Sequence, residues 1–135
     1  MSENPQVQPD AVVQRQLDAY NARDLGALLA IYADDAQLFE HPDKLLARGT
    51  AALRERFAAR FREPNLHAAL RQRIVAGPFV VDHETVARTF PEGPGEIDLV
   101  IIYEVREGRI ARPGRSRARS ASPGRPAVRG RAGYP

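Results

Sequence analysis

The sequence predicts an α+β domain followed by a segment of different composition. Three observations predict it. Apolar residues recur at helical spacing over the first sixty positions. From Leu66 the pattern changes to long β-rich runs broken by Gly and Pro turns. After Ile110 the chain becomes a mixture of Arg, Pro, Gly, Ser and Ala.

The 135 residues suffice for one hydrophobic core, not two. Hydrophobic residues make up 43% and charged residues 27%, the balance of a soluble globular chain. There is no cysteine, which excludes disulfides, thiolate nucleophiles and Cys-based zinc sites. Residues 1–10 are polar and read as a flexible arm without the apolar core of a secretion signal. The longest apolar run, Leu99 to Tyr103, is too short to span a bilayer. A cytoplasmic location is expected, with no membrane partner.

The net charge of +3 is a composite. Residues 111–135 hold seven arginines and no acid, which leaves −4 on the first 110 residues. The domain, residues 11–110, therefore offers no electrostatic reason to bind nucleic acid. Only nonspecific phosphate contact through the tail is expected.

Val13, Leu17 and Tyr20 share one face of a first helix that begins near Ala11. Asp24 suits the N-cap of a second, whose stripe is Leu25, Leu28, Leu29 and Tyr32. Asp34 and Asp35 close it and are read as capping, solvent-facing acids rather than metal ligands. Ala36 to His41 reads as a short strand and Pro42 to Gly49 as a loop. Thr50 then caps a third helix with Leu53, Phe57 and Phe61 along its ridge.

Leu66 to Val75 is a strand with Leu66, Ala68, Leu70, Gln72 and Ile74 on one side. Phe79 to Phe90 alternates around Val81, His83, Thr85 and Ala87, with a turn at Asp82-His83-Glu84 as a candidate interruption. Glu96 to Val105 is the strongest strand, apolar on both faces in its middle. Arg106 to Arg109 is a hairpin turn, and Ile110 should start another strand. The prolines and low apolar content of 111–135 predict a disordered basic tail instead.

Asn21-Ala22-Arg23-Asp24-Leu25, the run Leu28-Leu29-Ala30-Ile31-Tyr32-Ala33-Asp34-Asp35-Ala36, the strand into Pro42, and Arg48-Gly49 before a helix resemble the opening of SnoaL-like proteins. Ile102-Tyr103-Glu104-Val105 with Gly108-Arg109-Ile110 resembles their closing hairpin. These proteins belong to the nuclear transport factor 2-like superfamily, which includes ketosteroid isomerases. The resemblance implies a cone-shaped fold, three N-terminal helices on a curved, mostly antiparallel sheet. It implies a pocket for a small apolar organic ligand, and dimerisation through the sheet. One scaffold hosts isomerases, hydrolases, cyclases and non-catalytic binders, so the resemblance leaves open acid–base chemistry or plain ligand binding.

The isomerases place a carboxylate base just before the proline of the first strand. Alignment on Pro42 puts His41 there with Glu40 beside it, pointing the opposite way by strand alternation. Imidazole suits a general base near neutral pH. The isomerases' tyrosine and late aspartate, which hold the oxyanion, fall at Gln16 and near Ile101, so both donors are replaced. Asp98 is the second-choice acid. Tyr20, Tyr32, Phe57, Phe61 and Tyr103 are candidate lining, with core the better reading for Phe57 and Phe61. The buried hydroxyls of Tyr20 and Tyr103 would need partners. His67 and His83 lack a paired helical spacing, so no metal and no cofactor is expected.

Family members usually follow this hairpin with a strand, often with a tryptophan early in it. Arg-Ala-Trp-Ser becomes Arg-Pro-Gly-Arg when one G is lost from GC-rich codons, and Arg112-Pro113-Gly114-Arg115 stands here. The C-terminus therefore reads as a shifted frame. Sequencing the gene should find an alternative frame that encodes a β-strand after Ile110; finding none removes this reading.

Overall fold

The computed structural model describes residues 8–111 and the backbone of 114–118. Helix α1 spans Pro9–Asn21, with Pro9 in its first turn and Asp10 favourable to the helix dipole. It begins two residues before the predicted start, because Pro9 presets the helical φ. Val12, Val13, Gln16 and Leu17 form its buried stripe. Asn21 ends it and grips a strand: its amide donates to the Ala68 carbonyl (2.9 Å) and its carbonyl accepts from the Ala68 N–H (2.8 Å).

Asp24 caps helix α2, Leu25–Ile31, by accepting from the Ala27 N–H at 3.1 Å. Strands β1 (Gln37–Glu40) and β2 (Lys44–Arg48) follow as an antiparallel hairpin. The stretch read as a loop is thus largely strand. Its pairing with β1 supplies hydrogen bonds that its weak apolar pattern does not advertise.

Helix α3 spans Gly49–Arg60 and buries Leu53 and Phe57. Thr50 does not cap it. The N-cap is Arg48, without a side-chain hydrogen bond, and Gly49 at φ +85° turns the chain into the helix. The Gly49 N–H meets the Ala36 carbonyl at 2.9 Å.

Three long antiparallel strands complete the framework: β3 (His67–Ala76), β4 (Phe79–Phe90) and β5 (Gly93–Arg106). Three expectations fail here for physical reasons. β4 is not interrupted at Asp82-His83-Glu84. Its buried phase is Val80, Asp82, Glu84 and Val86, opposite to the side the sequence suggested. A bulge between Leu70 and Gln72 reverses β3, so Ile74 pairs with Val81 on the outer face and is 55% exposed.

A two-residue turn, Glu107-Gly108 with both φ values positive, leads into β6 (Arg109–Ile110). The chain then adds β7, Gly114–Ala118, antiparallel to β5 and parallel to β1. This corrects the expectation that no strand follows Ile110. The edges of β1 and β5 present a row of backbone donors and acceptors, and β7 pairs with both. The rest of the predicted tail lies outside the described residues.

The sheet order is β2-β1-β7-β5-β4-β3, with β6 on β5. The three helices cover one face, and the core lies between them and the inward residues of β4 and β5. Among the described residues, no helix is long and apolar enough to cross a membrane.

Two ion pairs brace the sheet, one between β3 and β4 and one between β4 and the segment after α3. Arg73 forks onto Asp82 through Nε (2.7 Å) and Nη2 (2.9 Å), and its Nη1 donates to Gln14 of α1 at 2.9 Å. The Asp82 hydrogen bond raises the Arg73 pKa above the ordinary arginine value. Arg88 forks onto Glu63 at 2.8 and 2.7 Å, and the Thr89 N–H donates to the same carboxylate.

Asp82 is wholly buried, so Asp82→Ala strands the Arg73 guanidinium. Equilibrium urea unfolding should show a loss of about 3–5 kcal/mol. Burial pushes the Glu63 pKa up, but the Arg88 and Thr89 hydrogen bonds outweigh it, and the net shift is downward. Glu63 therefore contributes stability that is present above the ordinary glutamate pKa. That stability is lost as the pH falls through the lower, folded value. Urea titrations at descending pH should show a shallower acid loss in Glu63→Gln than in the wild type.

Candidate functional site

A cavity of about 30 Å³ lies between the helices and the inner face of the sheet. α1 contributes Gln16, Leu17 and Tyr20, the end of α2 contributes Tyr32, and α3 contributes Leu53 and Phe57. The sheet contributes Leu38 from β1, Glu84 and Val86 from β4, and Leu99, Ile101 and Tyr103 from β5. The strand residues arrive by alternation: Leu99, Ile101 and Tyr103 occupy one phase of β5, and β4 supplies the matching rows.

The polar part of this wall is a directed hydrogen-bond chain. The Tyr103 hydroxyl donates to Gln16 Oε1 at 3.2 Å, and Gln16 Nε2 donates to the Tyr32 hydroxyl at 3.3 Å. Gln16 is 5% exposed and Tyr103 is 1% exposed, so these groups are withdrawn from bulk water. Buried hydroxyl and amide groups persist in a core only when they are bonded in this way. Glu84, 3% exposed, adds a carboxylate to the same wall.

The apolar part is dominated by rings. Tyr32 and Phe57 lie 5.8 Å apart, and Tyr20 meets Phe57 edge-on at 6.3 Å. Phe61 does not reach the cavity. It packs edge-on against Tyr20 at 5.5 Å and supports the wall from behind.

Five predicted lining residues thus converge: Gln16, Tyr20, Tyr32, Phe57 and Tyr103. Ile101 lines the cavity as well, at the position the resemblance assigned to a late aspartate. The three predicted catalytic residues do not converge. His41 is exposed in the turn between β1 and β2. Glu40 shares the buried phase of Leu38, yet it lies outside the cavity lining, and its Oε1 has no hydrogen-bond partner. Asp98 lies on the outer face, where it accepts from Thr85 Oγ1 at 3.0 Å, with His83 Nε2 at 3.8 Å. Its strand phase, opposite to Leu99, corrects its candidacy for the pocket.

Glu84, which lines the cavity, does not stand out in the sequence. The signal was present in the two-residue spacing Val80-Asp82-Glu84-Val86, which begins and ends on valine. Two acids in the middle disguised it as a solvent-facing row. Among the described residues, no three His, Asp or Glu side chains gather as a metal site.

Solved structures show the same fold. An uncharacterised cystatin-fold protein from Novosphingobium aromaticivorans superposes with a TM-score of 0.74 at 24% identity, covering 80% of this chain and 97% of its own. A nuclear transport factor 2-like protein of unknown function from Mesorhizobium loti gives 0.71 at 19% identity, covering 87% and 97%. A putative polyketide cyclase from Sinorhizobium meliloti gives 0.66 at 24% identity, covering 84% and 99%. No curated protein sequence matches the chain. The profile of the SnoaL-like domain matches residues 13–112. With that match and a three-helix, mostly antiparallel fold shared with nuclear transport factor 2-like structures, this chain belongs to the SnoaL-like domain family.

Proposed function

We propose that the chain binds a small, mostly apolar organic ligand that carries one carbonyl or hydroxyl oxygen, and that it does so without a cofactor. The observation that carries this reading is the Tyr103–Gln16–Tyr32 chain in the wall of an otherwise largely apolar, aromatic cavity. A ligand oxygen that inserts there can exchange hydrogen bonds with groups already held in place, at little ordering cost. The rings supply the apolar contact. The polyketide cyclase named above lends the reading weight only at the level of the scaffold.

The cavity has room for about two water molecules, at roughly 10–15 Å³ each. A ligand with more than a few heavy atoms therefore enters as the Tyr20 and Phe57 side chains yield. His41, exposed beyond β1, has no part in this binding.

The outer face of the sheet supports a homodimer. Ile74, Val81 and Ile102 form one cross-strand row there, and Ile74, Ile102 and the nearby Phe79 are each more than 40% exposed. A second copy of the same face would remove this row from water.

Cyclohexanone, titrated into the full chain and followed by ligand-observed NMR, should bind saturably. Tyr103→Phe should weaken it about 2- to 10-fold, the worth of one hydrogen bond at about 0.5–1.5 kcal/mol. His41→Ala should leave the affinity unchanged. Absence of saturable binding to the wild type would sink the cavity reading. Light scattering behind size exclusion should give a dimer mass for the wild type and a monomer mass for Ile102→Lys; a wild-type monomer would refute the dimer.

A further inference from the structure

We infer that a second, polar cavity beside the β5–β6 hairpin binds a small zwitterion, an amino acid whose carboxylate meets Arg106 and Gln37 and whose ammonium meets Asp35. The inference is independent of the ligand proposed for the apolar cavity.

This cavity measures about 150 Å³ and is lined by Asp35, Gln37, Arg106 and Ala111. None of the four lines the apolar cavity. They come from the turn after α2, from β1, from the end of β5 and from the residue after β6. The volume has room for about ten water molecules at roughly 10–15 Å³ each, so a small polar ligand enters without displacing side chains.

The backbone around the cavity is fastened on both sides. The Ala33 N–H donates to the Ile110 carbonyl at 2.8 Å, and the Gln37 N–H donates to the Ala111 carbonyl at 3.2 Å. The Ala111 N–H donates in turn to the Glu104 carbonyl at 2.8 Å. Asp35 lies between Ala33 and Gln37 and is thereby held against the strand that carries Arg106.

The side chains leave hydrogen-bonding capacity aimed at one place. Arg106 donates through Nε to Glu104 Oε2 at 3.0 Å, and its two terminal nitrogens have no partner among the described residues. Gln37, in the amide orientation that its neighbours require, accepts from Arg48 Nη2 at 2.9 Å and Nε at 3.1 Å. Its Nε2 is then left as a donor. Asp35 makes no hydrogen bond or ion pair among the described residues. The nearby Arg109 is drawn aside by Asp34 at 3.5 Å.

Opposite charges therefore line one cavity without meeting. The guanidinium fork and the Gln37 amide suit a carboxylate, and the Asp35 carboxylate suits an ammonium. A simple anion would be repelled by Asp35, and a simple cation by Arg106. A molecule that carries both charges satisfies both walls.

The test titrates glycine, β-alanine and 4-aminobutyrate into the full chain. Nitrogen–proton correlation NMR follows the Gln37 side-chain amide and the Ala111 N–H. At least one amino acid should shift both signals saturably, with a Kd on the order of millimolar, as befits charges open to solvent. Acetate and methylammonium, each with one of the two charges, should bind about fivefold more weakly or worse. Arg106→Ala and Asp35→Asn should each weaken the preferred amino acid by about fivefold or more. Both positions are exposed, and either variant alone suffices if the other does not fold. Absence of saturable shifts with all three amino acids overturns the inference. So does acetate or methylammonium binding as tightly as the best of them, or a folded variant with wild-type affinity.

Discussion

Two carboxylates on the inward phase of β4 are the constraint around which this domain is built. An inward acid in the middle of a sheet is costly unless its charge is met. Arg73 meets Asp82 with a bidentate grip, and it can do so because β3 lies beside β4 in the register Arg73–Asp82. The same guanidinium reaches α1 through Gln14. One side chain thus ties two strands and a helix together at the point where the cavity wall begins. The desolvated pair adds little net stability by itself, but it makes alternative registers expensive, since a slip would strand both charges.

The cavity follows from a second compromise. Gln16, Tyr32 and Tyr103 occupy positions that a tightly packed core would give to aliphatic side chains. Each carries a polar group that must be bonded, and the three satisfy one another in sequence. Their contacts reach across 87 and 16 positions of the chain, so the network forms only once α1, the end of α2 and β5 are assembled. A hydrogen-bonded set of this kind fixes side-chain orientation, and it spares the site the cost of ordering when a ligand arrives. Asn21, with two hydrogen bonds to Ala68, holds the end of α1 in the same way, and Glu63, with its fork from Arg88, holds the segment after α3.

The features legible in the sequence were those fixed by local chemistry. Helical spacing located all three helices, the carboxylate of Asp24 located a cap, and Glu107-Gly108 located a hairpin turn. The apolar middle of β5 identified the strand that gives Leu99, Ile101 and Tyr103 to the wall. What escaped was set by pairing. The phase of β4 was hidden because Asp82 and Glu84 look like surface residues until Arg73 and the cavity are in view. The bulge after Leu70 reversed a correct alternation halfway along β3. Tyr20, Tyr32, Phe57 and Tyr103, singled out as aromatic side chains, and Gln16, singled out by the resemblance, all lie along the cavity. His41 lies exposed in the turn after β1, because alignment on Pro42 fixes a position along the chain, not the direction in which that turn faces.

Strand β7 shows the same division most sharply. Gly114-Arg115-Ser116-Arg117-Ala118 has none of the β-branched or aromatic residues that mark an interior strand, and it follows a proline. Its backbone nevertheless lies between β1 and β5 and pairs with each. The demand comes from the two neighbours, whose facing edges would otherwise leave backbone donors and acceptors unpaired. Topology therefore accounts for the strand, and composition does not. A shifted frame would have this effect: it changes every residue type after the hairpin, while the two open edges that call for a strand remain encoded upstream.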